Sequence, residues 1–163
     1  MAYLIRFLVF TLLAAFFVQA APSLTSGKFK IMSLTEGNPP LSINLILPSY
    51  QDVYLNGPVK TWNVRSEGND VYLLSVGGYP FTGIVDGVVI ASIHPEQNVK
   101  WRVTYREAND AYTIEPADSV GSGFTVDHIG GGNPRIIITP IMSTKSLPPR
   151  YFPTQLFRFE RAE

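Results

Sequence analysis

The chain has 163 residues and no cysteine. Disulfides, a thiol nucleophile, a thiolate zinc site and an iron–sulfur centre are therefore excluded, and stability must come from packing and hydrogen-bonded strands. Histidine is scarce: His94 precedes a proline in a turn, and His128 follows Asp127. Strand neighbours point to opposite faces, so Asp127 does not orient His128 from within its own strand. Two histidines without spaced carboxylate partners make no metal site, and neither a metal nor a cofactor is expected. A Gly-x-Ser-x-Gly elbow is missing, and the Gly130-Gly131-Gly132 turn is not followed by Gly-Lys-Ser/Thr. The chain does not read as an enzyme. Excess charge is missing too, since 13 basic side chains face 13 acidic ones. That balance offers nucleic acid or an anionic membrane no broad field to bind. No Asn-x-Ser/Thr occurs, so N-glycosylation is not expected.

One long apolar run stands out. Arg6 precedes Phe7 to Val18, and Val18-Gln19-Ala20 leads into Ala21-Pro22. A basic start, a short apolar run and a small-residue exit describe a secretory signal peptide rather than a membrane span, which needs about 20 apolar residues. The expected organisation is a signal peptide over residues 1–20, a short tail over 21–25 and a single domain over 26–163. The product is expected to be secreted and monomeric, with no membrane association after cleavage.

Helical periodicity is also lacking. From Gly27 onward, short apolar alternations are broken by Gly, Pro, Asn and Asp, which is the texture of β-strands and turns. What the chain does have is a repeat. Trp62-Asn63-Val64 followed by Asn69-Asp70-Val71-Tyr72 recurs about 40 residues later as Trp101-Arg102-Val103 and Asn109-Asp110-Ala111-Tyr112. Half-copies lie at the ends, Phe29-Lys30-Ile31 and Phe157-Arg158-Phe159. Three copies are too few for a propeller. An all-β fold follows, a β-trefoil of three four-stranded repeats with pseudo-three-fold symmetry. In the first repeat the second strand is expected over residues 41–47 and a loop over 48–52. In the third, a long connection is expected over 143–154.

The repeat assigns Trp62, Trp101, Tyr72 and Tyr112 to the core and Asp70 and Asp110 to turns. A carbohydrate-binding trefoil is the alternative reading. Lectins of that fold carry Gln-x-Trp in each repeat, whereas here only Gln155-Leu156-Phe157 keeps the glutamine, and it lacks the tryptophan. With no plausible catalytic centre, activity is expected in proline-bearing loops, because proline lowers the ordering cost of a loop's bound shape. The candidates are Leu47, Pro48, Ser49, Tyr50 and Gln51 in the first loop and Lys145, Arg150 and Tyr151 in the second.

The segments Ser26-Gly27-Lys28-Phe29-Lys30-Ile31, Lys100-Trp101-Arg102-Val103, Tyr112-Thr113-Ile114-Glu115 and Gln155-Leu156-Phe157-Arg158-Phe159-Glu160-Arg161 carry a resemblance. They resemble the mushroom serine protease inhibitors of the cospin type, β-trefoils related in architecture to the mycocypins. The resemblance spans residues 26–163. It implies a protease partner, of the serine class before the cysteine class, a defence role in fungi, and inhibition by a protruding substrate-like loop. In that family the specificity residue is an asparagine between the second and third strands, and the matching residues 47–52 contain no Asn, Lys or Arg. Leu47 or Tyr50 would then suit a chymotrypsin- or elastase-like pocket. Lys145 or Arg150 would suit an acidic trypsin-like one. Arg150, which is followed by Tyr151, is geometrically freer than a residue preceding proline, and its replacement by Ala is expected to abolish any trypsin inhibition.

Overall fold

The computed structural model describes residues 23–44, 49–128 and 132–163. The expected signal peptide, Leu47 and Pro48 lie outside them. The strands are β1 (Gly27–Ser33), β2 (Leu41–Ser42), β3 (Tyr50–Asp52), β4 (Tyr54–Leu55), β5 (Trp62–Gly68), β6 (Val71–Val76), β7 (Phe81–Val85), β8 (Val88–Ser92), β9 (Trp101–Arg106), β10 (Ala111–Pro116), β11 (Ser122–Asp127), β12 (Arg135–Pro140) and β13 (Phe157–Arg161). The helical elements among the described residues are three short 3-10 turns, Pro95–Gln97, Glu107–Asn109 and Pro153–Gln155.

Six strands close a barrel in the order β1-β13-β10-β9-β6-β5, all antiparallel. The remaining strands cover one end. There β4 pairs β12, β12 pairs β8, and β8 pairs β3, so one long strand from each repeat meets the other two. Val53 separates β3 from β4. Its N–H donates to Val89 and its carbonyl accepts from Ile136, so β3 and β4 are one trefoil strand interrupted at the three-fold centre. Counted this way the described residues form twelve strands, four per repeat, and the fold is a β-trefoil.

Alternation explains the core. In β6, Tyr72, Leu74 and Val76 turn inward while Val71, Leu73 and Ser75 do not; in β1, Phe29, Ile31 and Ser33 do the same. Repeat-equivalent Ile31, Leu74 and Ile114 are all buried, as are Trp62, Trp101 and Phe157. The tryptophans also need partners for their buried N–H groups. Trp62 donates to the Leu41 carbonyl at 3.2 Å, and Trp101 to the Thr82 hydroxyl at 2.7 Å. Phe157 has no such donor and packs edge-on against Phe124 at 5.8 Å, while Phe124 meets Trp101 at 4.8 Å. Phe124 thereby joins the plugs of the second and third repeats.

Turn chemistry sets the register. Asp86 and Gly87 both have positive φ, 49° and 78°, as a two-residue type I′ hairpin requires. Asp70 and Asp110 are left-handed at the corners of β5–β6 and β9–β10, so their repeat-equivalent positions are corners, as expected. The Asp70 carbonyl accepts the Val103 N–H at 2.9 Å, tying one repeat to the next.

Three expectations change. The second strand spans Leu41–Ser42 rather than 41–47, with Ile43 and Asn44 past its end and residues 45–47 outside those described. Residues 50–52 are strand rather than loop, because Tyr50, Gln51 and Asp52 pair with Ser92, Ala91 and Ile90 of β8. The signal was missed because Tyr-Gln-Asp lacks apolar alternation and its order comes from a distant strand. The tail is also more than a tail, since Leu24 is buried and its carbonyl accepts the Tyr72 hydroxyl at 2.8 Å.

Thr82 is buried, accepts from Trp101 and donates to the Leu74 carbonyl at 3.1 Å. Thr82→Val keeps the shape and leaves the indole N–H unpaired. We expect a loss of about 1–3 kcal/mol in urea unfolding, with the fold retained.

Candidate functional site

The chain leaves β12 at Pro140 and re-enters the barrel at Phe157, and the intervening loop is built rather than loose. Ser143 bridges Tyr151. One residue further in, the Thr144 N–H donates to the Arg150 carbonyl at 2.8 Å, and the Arg150 N–H donates to the Thr144 hydroxyl at 3.0 Å. Residues 145–149 therefore project from a closed base. Inside this tip, the Ser146 hydroxyl pairs with that of Thr144 at 2.6 Å and donates to the Pro148 carbonyl at 2.9 Å. Pro148 and Pro149 fix their own φ angles, and the bond between Leu147 and Pro148 is cis. Leu147 stands at the summit, 96% exposed.

Three side chains fasten this loop to the barrel. Gln155 is 1% exposed, and both ends of its amide are used. Its oxygen accepts the Met142 N–H at 2.9 Å, and its nitrogen donates to the Pro140 carbonyl at 2.8 Å and the Thr125 hydroxyl at 3.0 Å. Asn109, in the corner before Asp110, accepts the Tyr151 N–H at 3.1 Å. Arg106 lies over the Tyr151 ring at 4.4 Å, while its guanidinium donates to Thr113 and, at 2.9 Å, to the nearly buried Glu115 carboxylate. A cation on an aromatic face that is itself held by a desolvated carboxylate is rigidly placed.

The sequence-predicted residues divide by this geometry. Lys145 lies in the projecting tip. Arg150 is at the closed base, where both of its backbone polar groups are used internally. Tyr151 is half-buried under Arg106, so it anchors the loop rather than presenting a contact. In the other loop, Ser49 is exposed, its carbonyl accepting the Ile93 N–H at 3.1 Å. Tyr50 and Gln51 belong to β3, and Tyr50 is 40% exposed. Tyr50 borders a shallow polar cavity of about 320 Å³ with Asn44, Asp52, Asn133 and Arg135. Asp52 and Arg135 face each other across it at 3.8 Å. Sequence reasoning missed Leu147, Gln155 and Asn109. Gln155 belongs to the Gln155-Leu156-Phe157 motif and Asn109 to the repeat signature, but their role depends on a loop closure that composition does not reveal.

The lectin motif finds no support at its own positions. Trp62 and Trp101 are buried in the barrel, and Gln155 is spent on the loop. His94 is a half-buried turn residue 3.5 Å from Glu96, and His128 is exposed at the surface. Among the described residues no three His, Asp or Glu side chains gather as a metal site would need. The phenols of Tyr72, Tyr105 and Tyr112 all titrate above the usual tyrosine range. For Tyr72 and Tyr112 the first cause is burial, and for Tyr105 it is the hydrogen bond it donates to Asp110. All three stay protonated at neutral pH and supply no base.

Comparison with known proteins agrees with this architecture. A family model described as peptidase inhibitor I66 matches residues 22–161. No curated protein matches the chain. A proteinase inhibitor from Coprinopsis cinerea superposes with a TM-score of 0.70 at 24% identity, covering 86% of this chain and all of that one. A Polyporus squamosus lectin gives a TM-score of 0.57 at 19% identity over 85% of this chain and 50% of its own. A mosquitocidal holotoxin gives 0.60 at 17% identity, over 87% of this chain and 17% of its own. At these identities the structural likenesses establish the fold.

Gln155→Met keeps the bulk of the side chain and removes its three hydrogen bonds. We expect a loss of about 1–3 kcal/mol, because the Met142 N–H and the Pro140 carbonyl lose the buried side chain that pairs them. Urea unfolding measures the loss. Limited proteolysis should show cleavage moving to residues 141–150 before the barrel is cut.

Proposed function

Because the chain belongs to the peptidase inhibitor I66 family, we propose that it is a secreted inhibitor of serine peptidases that works by presenting the loop of residues 143–151 to the cleft of its target. Family membership itself makes inhibition the activity and a peptidase the partner. Secretion is supported by the basic, apolar and small-residue pattern of residues 1–20. Serine-class targeting is supported by the resemblance of residues 26–163 to the cospin-type inhibitors.

The observation that carries the loop reading is the closure of Thr144 on Arg150 beneath an exposed tip. A segment held in one shape before binding loses little conformational entropy when it docks, so more of its contact energy appears as affinity. Lys145, Leu147 and Arg150 are the tip and base side chains a peptidase would meet.

A carbohydrate-binding reading rests on a different place. Tyr50 offers a partly exposed ring beside Asp52, Asn44, Asn133 and Arg135, a combination of apolar face and planar polar groups suited to a sugar. This site is shallow, and none of its lining residues belongs to the long loop.

Trypsin, chymotrypsin, subtilisin, papain and legumain, each titrated with the full-length secreted protein, separate the readings. At least one serine peptidase should be inhibited stoichiometrically, with papain and legumain unaffected. Retention on a glycan surface without inhibition of any peptidase would replace inhibition of a peptidase by sugar binding.

A further inference from the structure

We propose that Leu147 is the residue that enters the target's specificity pocket, and that the target therefore has an open, uncharged, apolar pocket of the chymotrypsin or subtilisin kind. This rests on the peptidase-inhibitor reading and specifies it.

Three observations select Leu147 over the two cations. The first is position. The loop closes at Thr144 and Arg150, and Leu147 is the middle of the five residues that project beyond that closure, with nearly all of its surface in solvent. The second is backbone availability. A segment bound as a strand offers its N–H and carbonyl groups to the edge of the cleft. The N–H and carbonyl of Arg150 are already paired with Thr144, so Arg150 docks as a strand residue only if the base of the loop opens. Lys145, Ser146 and Leu147 form the arm in which no main-chain group has such a partner. The third is support. Thr144 and Ser146 hold one side of the tip, Pro148 and Pro149 the other, and Ser146 ties the two together through the Pro148 carbonyl.

The chemistry of the tip sets the kind of pocket. Leucine brings no charge, so a pocket with a buried carboxylate at its floor would be desolvated without a partner, at a cost no branched aliphatic side chain offsets. An apolar pocket gains the burial of a side chain that the free protein leaves in water. Downstream, Pro148 and Pro149 have no N–H, so the loop offers the cleft no donors on that side. Docking is therefore one-sided: the 145–147 arm pairs, Leu147 fills the pocket, and the diproline turns the chain away from the catalytic machinery.

The test uses the full-length secreted protein with chymotrypsin, subtilisin and trypsin, in wild-type form and as Leu147→Ala, Leu147→Arg, Lys145→Ala and Arg150→Ala. Wild type should inhibit chymotrypsin or subtilisin and leave trypsin active. Leu147→Ala should weaken that inhibition roughly 10- to 100-fold, the equivalent of losing one buried leucine side chain. Leu147→Arg should lose it and gain trypsin inhibition, while Lys145→Ala and Arg150→Ala should weaken inhibition of chymotrypsin or subtilisin less than Leu147→Ala does. Each variant is checked for the wild-type unfolding midpoint, since a fully exposed side chain should not affect folding. Undiminished inhibition by Leu147→Ala, or its loss in Arg150→Ala, overturns the assignment while leaving the inhibitor reading intact. Inhibition of none of the three by wild type overturns the serine-peptidase reading itself. Sedimentation with phosphatidylcholine–phosphatidylserine vesicles is run in parallel. Binding that Leu147→Ala abolishes would make the tip a membrane contact and overturn the assignment.

Discussion

Everything in this molecule depends on closing a six-stranded barrel without a covalent staple. Closure removes the open edges that would otherwise pair with other chains, but it succeeds only if the interior is filled at the density of a protein core. Trp62, Trp101 and Phe157 perform that task, one from each repeat, with Ile31, Leu74 and Ile114 as a second equivalent set. Two of the three plugs carry an indole N–H that must be satisfied in a dry interior, and the neighbouring strands supply a carbonyl in one repeat and a hydroxyl in the other. The third plug is smaller and apolar. Phe124 takes up the difference by meeting both Trp101 and Phe157 edge-on.

That same third repeat is where the symmetry is broken for another purpose. Its long connection does not add to the core: Leu147 is almost wholly exposed and Phe152 about half exposed. Yet the barrel commits polar groups to it. Gln155, buried beside the Phe157 plug, holds the exit and re-entry of the loop at once, and Asn109 reaches it from the corner of β9 and β10. Arg106 extends the chain of contacts from Glu115 in the barrel wall to Tyr151 at the loop base. Displacing the loop would thus strand a buried amide and unseat a guanidinium that neutralises a desolvated carboxylate. Rigidity in the tip is inherited from the core by hydrogen bonds, not by apolar burial.

The fold was legible because its signal is repetition. The repeat copies at Trp62, Tyr72, Trp101 and Tyr112 and the half-copies at Phe29 and Phe157 were readable as strands from the repeat, and they lie on β5, β6, β9, β10, β1 and β13. Tyr50, Gln51 and Asp52 were not readable in this way, because their strand exists only through pairing with β8 some forty residues away. The site was legible as a region but not as residues. Length and proline content marked the long connection, and the familiar preference of trypsin-like pockets drew attention to Lys145 and Arg150. Which of them could dock depended on where the loop closes on itself, a fact held in the hydrogen bonds of Thr144 and invisible in composition.

Gln155 shows why residue type alone misleads in such a fold. A glutamine two positions before an aromatic plug is the pattern by which a sugar-binding trefoil is suspected, but here its amide is inaccessible and fully used in holding the loop. Holding it means ordering a dozen residues that contribute almost no apolar burial, at a cost of the order of 1 kcal/mol or more for each backbone unit fixed. Folding stability does not account for such an expenditure, since a shorter turn would connect β12 to β13 more cheaply. An ordered, apolar-tipped projection on a barrel that does not need it is accounted for by a partner that does.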